Sequence, residues 1–123
     1  MMDDKVHDAD SISAFCPAYH RAMELIGRRW TGAIVRSMLA GSQRFSDIAA
    51  SVPGLSARLL SERLKELESE GIVHRTVTPS TPVRVDYVLT VKGEALSDVI
   101  VAVSEWAERW VTVPNEAKST HDR

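Results

Sequence analysis

The chain holds one cysteine, Cys16, in 123 residues. A lone thiol excludes a disulfide framework and leaves only bridges to a second molecule. Long apolar runs are missing too. Nothing approaches the roughly 20 residues of a membrane-spanning helix, so no membrane partner is expected. The opening MMDDKVHDADSIS lacks the basic and apolar segments of a secretory leader, which makes the cytoplasm the expected compartment. Glycine is sparse, six residues in all, and none build a phosphate-cradling loop. No paired-carboxylate site and no nucleophile with its base and orienter can be placed. Catalysis is therefore not expected. Cys16 and His20 make only two ligands, and His7, His74 and His121 add no ligand spacing. Neither a metal nor a cofactor is expected.

What is present is an uneven charge distribution. The formal net charge is only -2. Yet residues 28–84 carry nine Arg or Lys against five Asp or Glu. Residues 1–14 carry four Asp against one Lys, and residues 91–111 carry four acids against two bases. A basic middle between acidic ends suits a surface that meets phosphates.

Three regions follow from composition: a flexible acidic N-terminal tail over 1–13, one domain over 14–112, and a flexible C-terminal tail over 113–123. Within the domain, apolar spacing predicts a helix from Pro17 to about Ile26, stopped by Gly27, and a second from about Trp30 to Ala40. A short third helix starts near Ser46 or Asp47 and stops at Pro53-Gly54. Ser56 caps a fourth, which Gly71 closes. The period then changes to two. IVHRTVT and VRVDYVLT read as a hairpin, with Val83, Val85, Tyr87 and Leu89 on one face. Gly93 and Glu94 lead into a last helix striped by Leu96, Val99, Ile100, Val103, Trp106 or Ala107, and Trp110. The fold class expected is α+β, mainly α with a small β-hairpin.

On a helical wheel, Leu60, Leu64, Leu67 and Ala57 form the inner face of the fourth helix. Arg58, Glu62 and Lys65 lie opposite, with Ser61 and Glu66 on the flanks. Alone, this reads first as an ordinary surface helix with a solvated face. The order of elements decides: short helix, Gly/Pro turn, polar-faced helix, then hairpin is that of a winged helix-turn-helix. In such a fold the first turns of the second helix meet base edges in the major groove. Arginine pairs bidentately with guanine, serine donates or accepts, and an acid accepts from cytosine N4. The candidate sequence readers are Ser56, Arg58, Ser61 and Glu62. Arg44, Arg58, Lys65 and Arg84 are candidate phosphate contacts, and Thr78, Ser80 and Thr81 on the wing join Arg84.

Several pieces in order resemble the HxlR family of winged helix-turn-helix transcriptional regulators, relatives of the MarR type. They are CP at 16–17, ELIGRRW at 24–30, RFSDI at 44–48 and PGLSARLLSERLKELESEGIVHR at 53–75. PVRVDYVLTVKGEAL at 82–96 and EWAERW at 105–110 complete the series. The family usually opens its second helix with Gly-Lys-Trp, where this chain has Arg28, Arg29 and Trp30. These arginines either contact phosphate or pair with Glu24 and the acidic last helix, the second being preferred.

The resemblance implies a homodimeric regulator of a double-stranded, pseudo-palindromic DNA operator, a repressor in preference to an activator. The dimer is expected to form through the first and last helices, with Leu96, Val99, Ile100, Val103, Trp106 and Trp110 at the interface. Two reading helices would then stand one duplex turn, about 34 Å, apart. Some family members sense oxidants, quinones or aldehydes through a cysteine at the position of Cys16. As the N-cap before Pro17, a thiolate faces unpaired N–H groups that lower its pKa, and a protonated His20 one turn on adds to this. An inert, half-buried cysteine is the competing reading. Two further readings stay open. A small aromatic effector would bind at the dimer interface among Phe15, Tyr19, Trp30 and Trp106. Alternatively the chain is a protein-interaction module that binds no DNA.

Overall fold

The computed structural model describes residues 12–114. Most of the two expected tails, 1–13 and 113–123, lies outside the described residues. The elements run α1 (Pro17–Ile26), α2 (Thr31–Leu39), α3 (Phe45–Ser51), α4 (Ala57–Ser69), β1 (Val73–Thr78), β2 (Arg84–Leu89), α5 (Val91–Glu94) and α6 (Ser97–Trp110). This is the expected mainly helical chain with one hairpin, differing at a few ends. α3 begins one residue early, at Phe45. Arg44 there is extended and bridges to Asp86, while Tyr87 N–H donates to the Gln43 carbonyl at 2.7 Å. The segment entering α3 thus forms a minimal third strand beside the wing.

The core lies where α2, α3 and α4 meet. Ile34, Ile48, Leu60 and Leu67 are fully buried, with Val35, Leu64, Ile72 and Val73 nearly so. Each such side chain contributes on the order of 1.5–3 kcal/mol on leaving water. Ala57, expected to join this face, is exposed. Its place is taken by Leu55, just before the cap. Leu55 and Leu60 occupy the two positions of a hydrophobic staple, which fixes how the chain enters α4.

Both ends of α4 are set by local chemistry. Ser56 Oγ accepts from Leu59 N–H at 3.1 Å. At the other end Gly71 takes φ 77°, its N–H donates to Glu68 O, and Ile72 N–H donates to Leu67 O at 2.9 Å. This double closure is a Schellman motif, and it turns the chain directly into β1. β1 and β2 pair antiparallel from Val73↔Leu89 to Thr78↔Arg84. Val83 lies beyond the strand and is exposed, because pairing ends at Arg84.

A four-residue helix, α5, was not expected. Thr90 caps it through Gly93 N–H and donates its own hydroxyl to the Gly71 and Ile72 carbonyls. Gly93 sits so close that a Cβ there would strike the Ile72 carbonyl. The long helix therefore starts only at Ser97.

α6 has two apolar stripes where one was expected. Leu96 and Ile100 pack against the domain core, and Ser104 and Ala107 continue that half-buried line. Val99, Val103, Trp106 and Trp110 point away and stay exposed, the tryptophans by 61% and 67%. Leu96 and Ile100, expected at the interface, are half-buried against the domain's own core. The spacing of four residues between them follows α6 along its contact with α2, where Arg36 Nη1 donates to Ser104 Oγ at 2.5 Å.

Candidate nucleic-acid interface

α4 shows its polar side outward because its leucines are consumed by the core. Arg58 extends furthest, with a side chain 88% exposed and Nε 3.4 Å from Glu62 Oε2. Glu62 and Lys65 are exposed and Ser61 is half-buried. Ser61 and Lys65 share a cleft with Leu64, Glu68, Arg75 and Tyr87, between α4 and the hairpin. Ser56 serves first as the helix cap, with its hydroxyl oxygen engaged by Leu59 N–H.

The wing forms the second part of the surface. Thr78 and Arg84 close the strand ladder opposite each other. Ser80 Oγ donates to the Pro82 carbonyl at 2.6 Å, which folds the tip back on itself. Thr81 precedes Pro82 in this exposed tip. Arg84 Nε is held 3.0 Å from Asp86 Oδ2 on the same strand face. Arg84 and the wing tip share an open cleft of about 570 Å³ with Arg44 and Ser46, at the start of α3. Arg44, the residue before α3, thus shares one cleft with Ser80, Thr81 and Arg84, while Ser61 and Lys65 of α4 border a second cleft with the hairpin. Ser46 and Arg75 border the same two clefts and were not singled out in the sequence. Arg75 was visible as one of the basic residues of the middle region. Only its pairing opposite Tyr87 places it beside Lys65.

The two arginines before α2 do not reach where they were expected. Arg28 Nη1 lies 2.5 Å from Glu66 Oε2 on α4, not on Glu24 or the last helix. Arg29 stacks on Trp30, 4.9 Å from the ring centroid. Trp30 itself packs against the core and over Gly54, at a left-handed φ of 80°. Phe15, Tyr19 and Trp106 are all exposed by more than 60%.

Cys16 is exposed and stands at the N-cap of α1. Its Sγ accepts from Tyr19 N–H at 3.4 Å. His20 turns to other partners: its ring is 5.5 Å from that of Phe15, and Nε2 is 3.5 Å from Glu24 Oε2. Among the described residues no cluster of three or more metal-ligating side chains exists, and no helix is long and apolar enough to cross a membrane.

Known proteins share this arrangement. The HTH-type transcriptional regulator YvaP of Bacillus subtilis is 52% identical over 99 residues, spanning 80% of this chain and 92% of its own. The HTH-type transcriptional regulator YodB of B. subtilis, in its reduced form, superposes with a TM-score of 0.70 at 43% identity, over 79% of this chain and 95% of YodB. YodB structures also exist in diamide-treated and quinone-bound forms. The redox regulator HypR in its oxidised form gives a TM-score of 0.73 at 35% identity, over 80% of this chain and all of HypR. The profile of the HxlR-like helix-turn-helix matches residues 25–115. The chain belongs to this family of winged helix-turn-helix transcriptional regulators.

Proposed function

We propose that the protein binds a pseudo-palindromic DNA operator as a homodimer, as a repressor, and is switched through Cys16. The observation that carries the DNA-binding part is the division of α4. Leu60, Leu64 and Leu67 are buried, Arg58, Glu62 and Lys65 are exposed, and half-buried Ser61 borders a cleft with Lys65 and the hairpin. Arg58, Ser61 and Glu62 choose the sequence, with Ser56 near the first turn. Arg44, Lys65 and Arg84 bind phosphates, and Thr78, Ser80 and Thr81 follow the backbone.

Self-association rests on the uncovered apolar surface. α1 and α6 contain no buried residue, and Phe15, Tyr19, Val103, Trp106 and Trp110 all point to solvent. So much exposed aromatic surface marks an interaction site. A second copy covers it with the same helices in a two-fold dimer.

Cys16 has the position of a switch. It is exposed at the start of α1, the helix assigned to the dimer. Quinone and diamide treatment of the similar YodB, and the oxidised form of the similar HypR, support electrophiles or oxidants as the signal. With a quinone, the thiolate sulfur adds to a ring carbon and the ring takes up a proton, leaving an S-alkylated hydroquinone. With diamide, two Cys16 thiols of two copies lose two electrons and two protons to the reagent and join as a disulfide.

The test is a gel-shift titration. Arg58→Ala is expected to abolish specific binding while the dimer stays folded. Unchanged operator affinity would remove Arg58 from the site. For the switch, Cys16→Ser is expected to keep operator binding and lose its response to quinone. An intact Cys16 mass under conditions that modify free thiols would reject the sensor role.

A further inference from the structure

Arg63 is the charged residue that the DNA-binding surface leaves unexplained. It lies on α4 with its side chain only 8% exposed. A guanidinium so deeply placed demands partners. Its Nε donates to the Arg29 carbonyl at 3.0 Å. That peptide joins Arg29 to Trp30, whose left-handed φ of 80° is strained for a bulky residue. Nη1 has no hydrogen-bond partner among the described residues. It stands between two carboxylates, 3.6 Å from Glu66 Oε2 and 3.9 Å from Glu62 Oε1.

Those carboxylates are not equivalent. Glu66 is already held by Arg28 at 2.5 Å. Glu62 faces Arg63 on its inner side and Arg58 on its outer side. The exposed Arg58–Glu62 pair alone is weak, since two long side chains in water gain little by pairing. A buried, fixed cation behind Glu62 changes this, because it limits the positions the carboxylate takes.

We infer that Arg63 is a positioning residue for DNA sequence choice: it orients Glu62, which aims Arg58, while tying α4 to the strained turn before α2. The inference rests on the proposed reading role of α4. It adds that discrimination by Arg58 depends on a side chain that never touches DNA.

The test uses duplexes selected by the full-length wild-type protein from a randomised library, with a scrambled duplex as control. Affinities for both are measured for wild type, Arg58→Ala, Glu62→Gln, Arg63→Met, Arg63→Lys and the Glu62→Gln/Arg63→Met pair. Arg63→Met is expected to cut the selected-to-scrambled ratio about tenfold, within the worth of one bidentate base contact. Affinity for the scrambled duplex stays within twofold. The base position at which preference is lost is expected to be the one Arg58→Ala loses. The double variant should lose no more than the larger single one, the mark of residues acting as a unit.

A purely structural Arg63 would weaken both duplexes in proportion to lost folded protein and leave base preference intact, which overturns the inference. So would additive losses in the double variant. If Arg63→Met does not fold, Arg63→Lys and Glu62→Gln decide. Lysine keeps the charge but not the fixed fork, and is expected to lose preference at that same base position. A wild type that selects no duplex would instead remove the reading role of α4 itself.

Discussion

The two halves of this small domain treat their apolar residues in opposite ways. Around α2, α3 and α4 the core-facing leucines and isoleucines are sealed, with Ile48, Leu60 and Leu67 at 0% exposure. In α1 and α6 no residue is buried, although both carry aromatic or apolar side chains at helical spacing. The half built on α4, the reading half of the proposed function, is capped, closed by a Schellman turn and braced by a hairpin. The outer half leaves the aromatic side chains of α1 and α6 to solvent, the surface that the proposed dimer would cover.

The largest expected effect breaks the sealed half. Leu67→Ala removes a fully buried side chain from the centre of the core, and should destabilise the protein by about 2–5 kcal/mol in urea unfolding. A loss below 1 kcal/mol would mean that this core is not the structural centre.

Next comes the open half. Trp106→Glu puts a charge on the outward stripe of α6, where the side chain is 61% exposed. Truncated interface hot spots typically cost about 2 kcal/mol or more, near thirtyfold in a dissociation constant. Sedimentation should show the dimer weakened by at least that factor. A sedimentation profile identical to wild type would place the interface elsewhere.

The smallest effect sharpens the boundary between the halves. Ser56→Ala deletes the cap of α4 and should cost about 1 kcal/mol. Self-association should not change, because Ser56 belongs to the reading half. A shift in dimer affinity with this variant would show that the two halves are not separate.

How far the sequence revealed this differs between residues. α4 was legible because several local signals agreed: Ser56 as cap, Gly71 as terminator and the spacing of Leu60, Leu64 and Leu67. The cleft that Arg44 shares with the wing is consistent with element order, which places the entry to α3 beside the hairpin. In α6 two apolar lines overlap within 14 residues, and spacing alone does not say which meets the core. α5 was too short for any period. Arg63 was illegible for another reason. A charged residue on a helix flank counts as solvated, and its burial depends on the Arg29 carbonyl, 34 positions away. The partner of Arg28 is hidden from the sequence for the same cause, since Glu66 is 38 positions distant.

The central claim is that two copies of a self-sufficient reading half act together through an outer half that neither completes alone. It is tested most directly by titrating a fluorescent selected duplex with protein under tight-binding conditions and reading the stoichiometry. Wild type is expected to bind as two chains per duplex, with affinity falling steeply as salt rises. Trp106→Glu is expected to lose tight operator binding while its reading half stays folded. One chain per duplex at full affinity, or tight binding undiminished by Trp106→Glu, would contradict it.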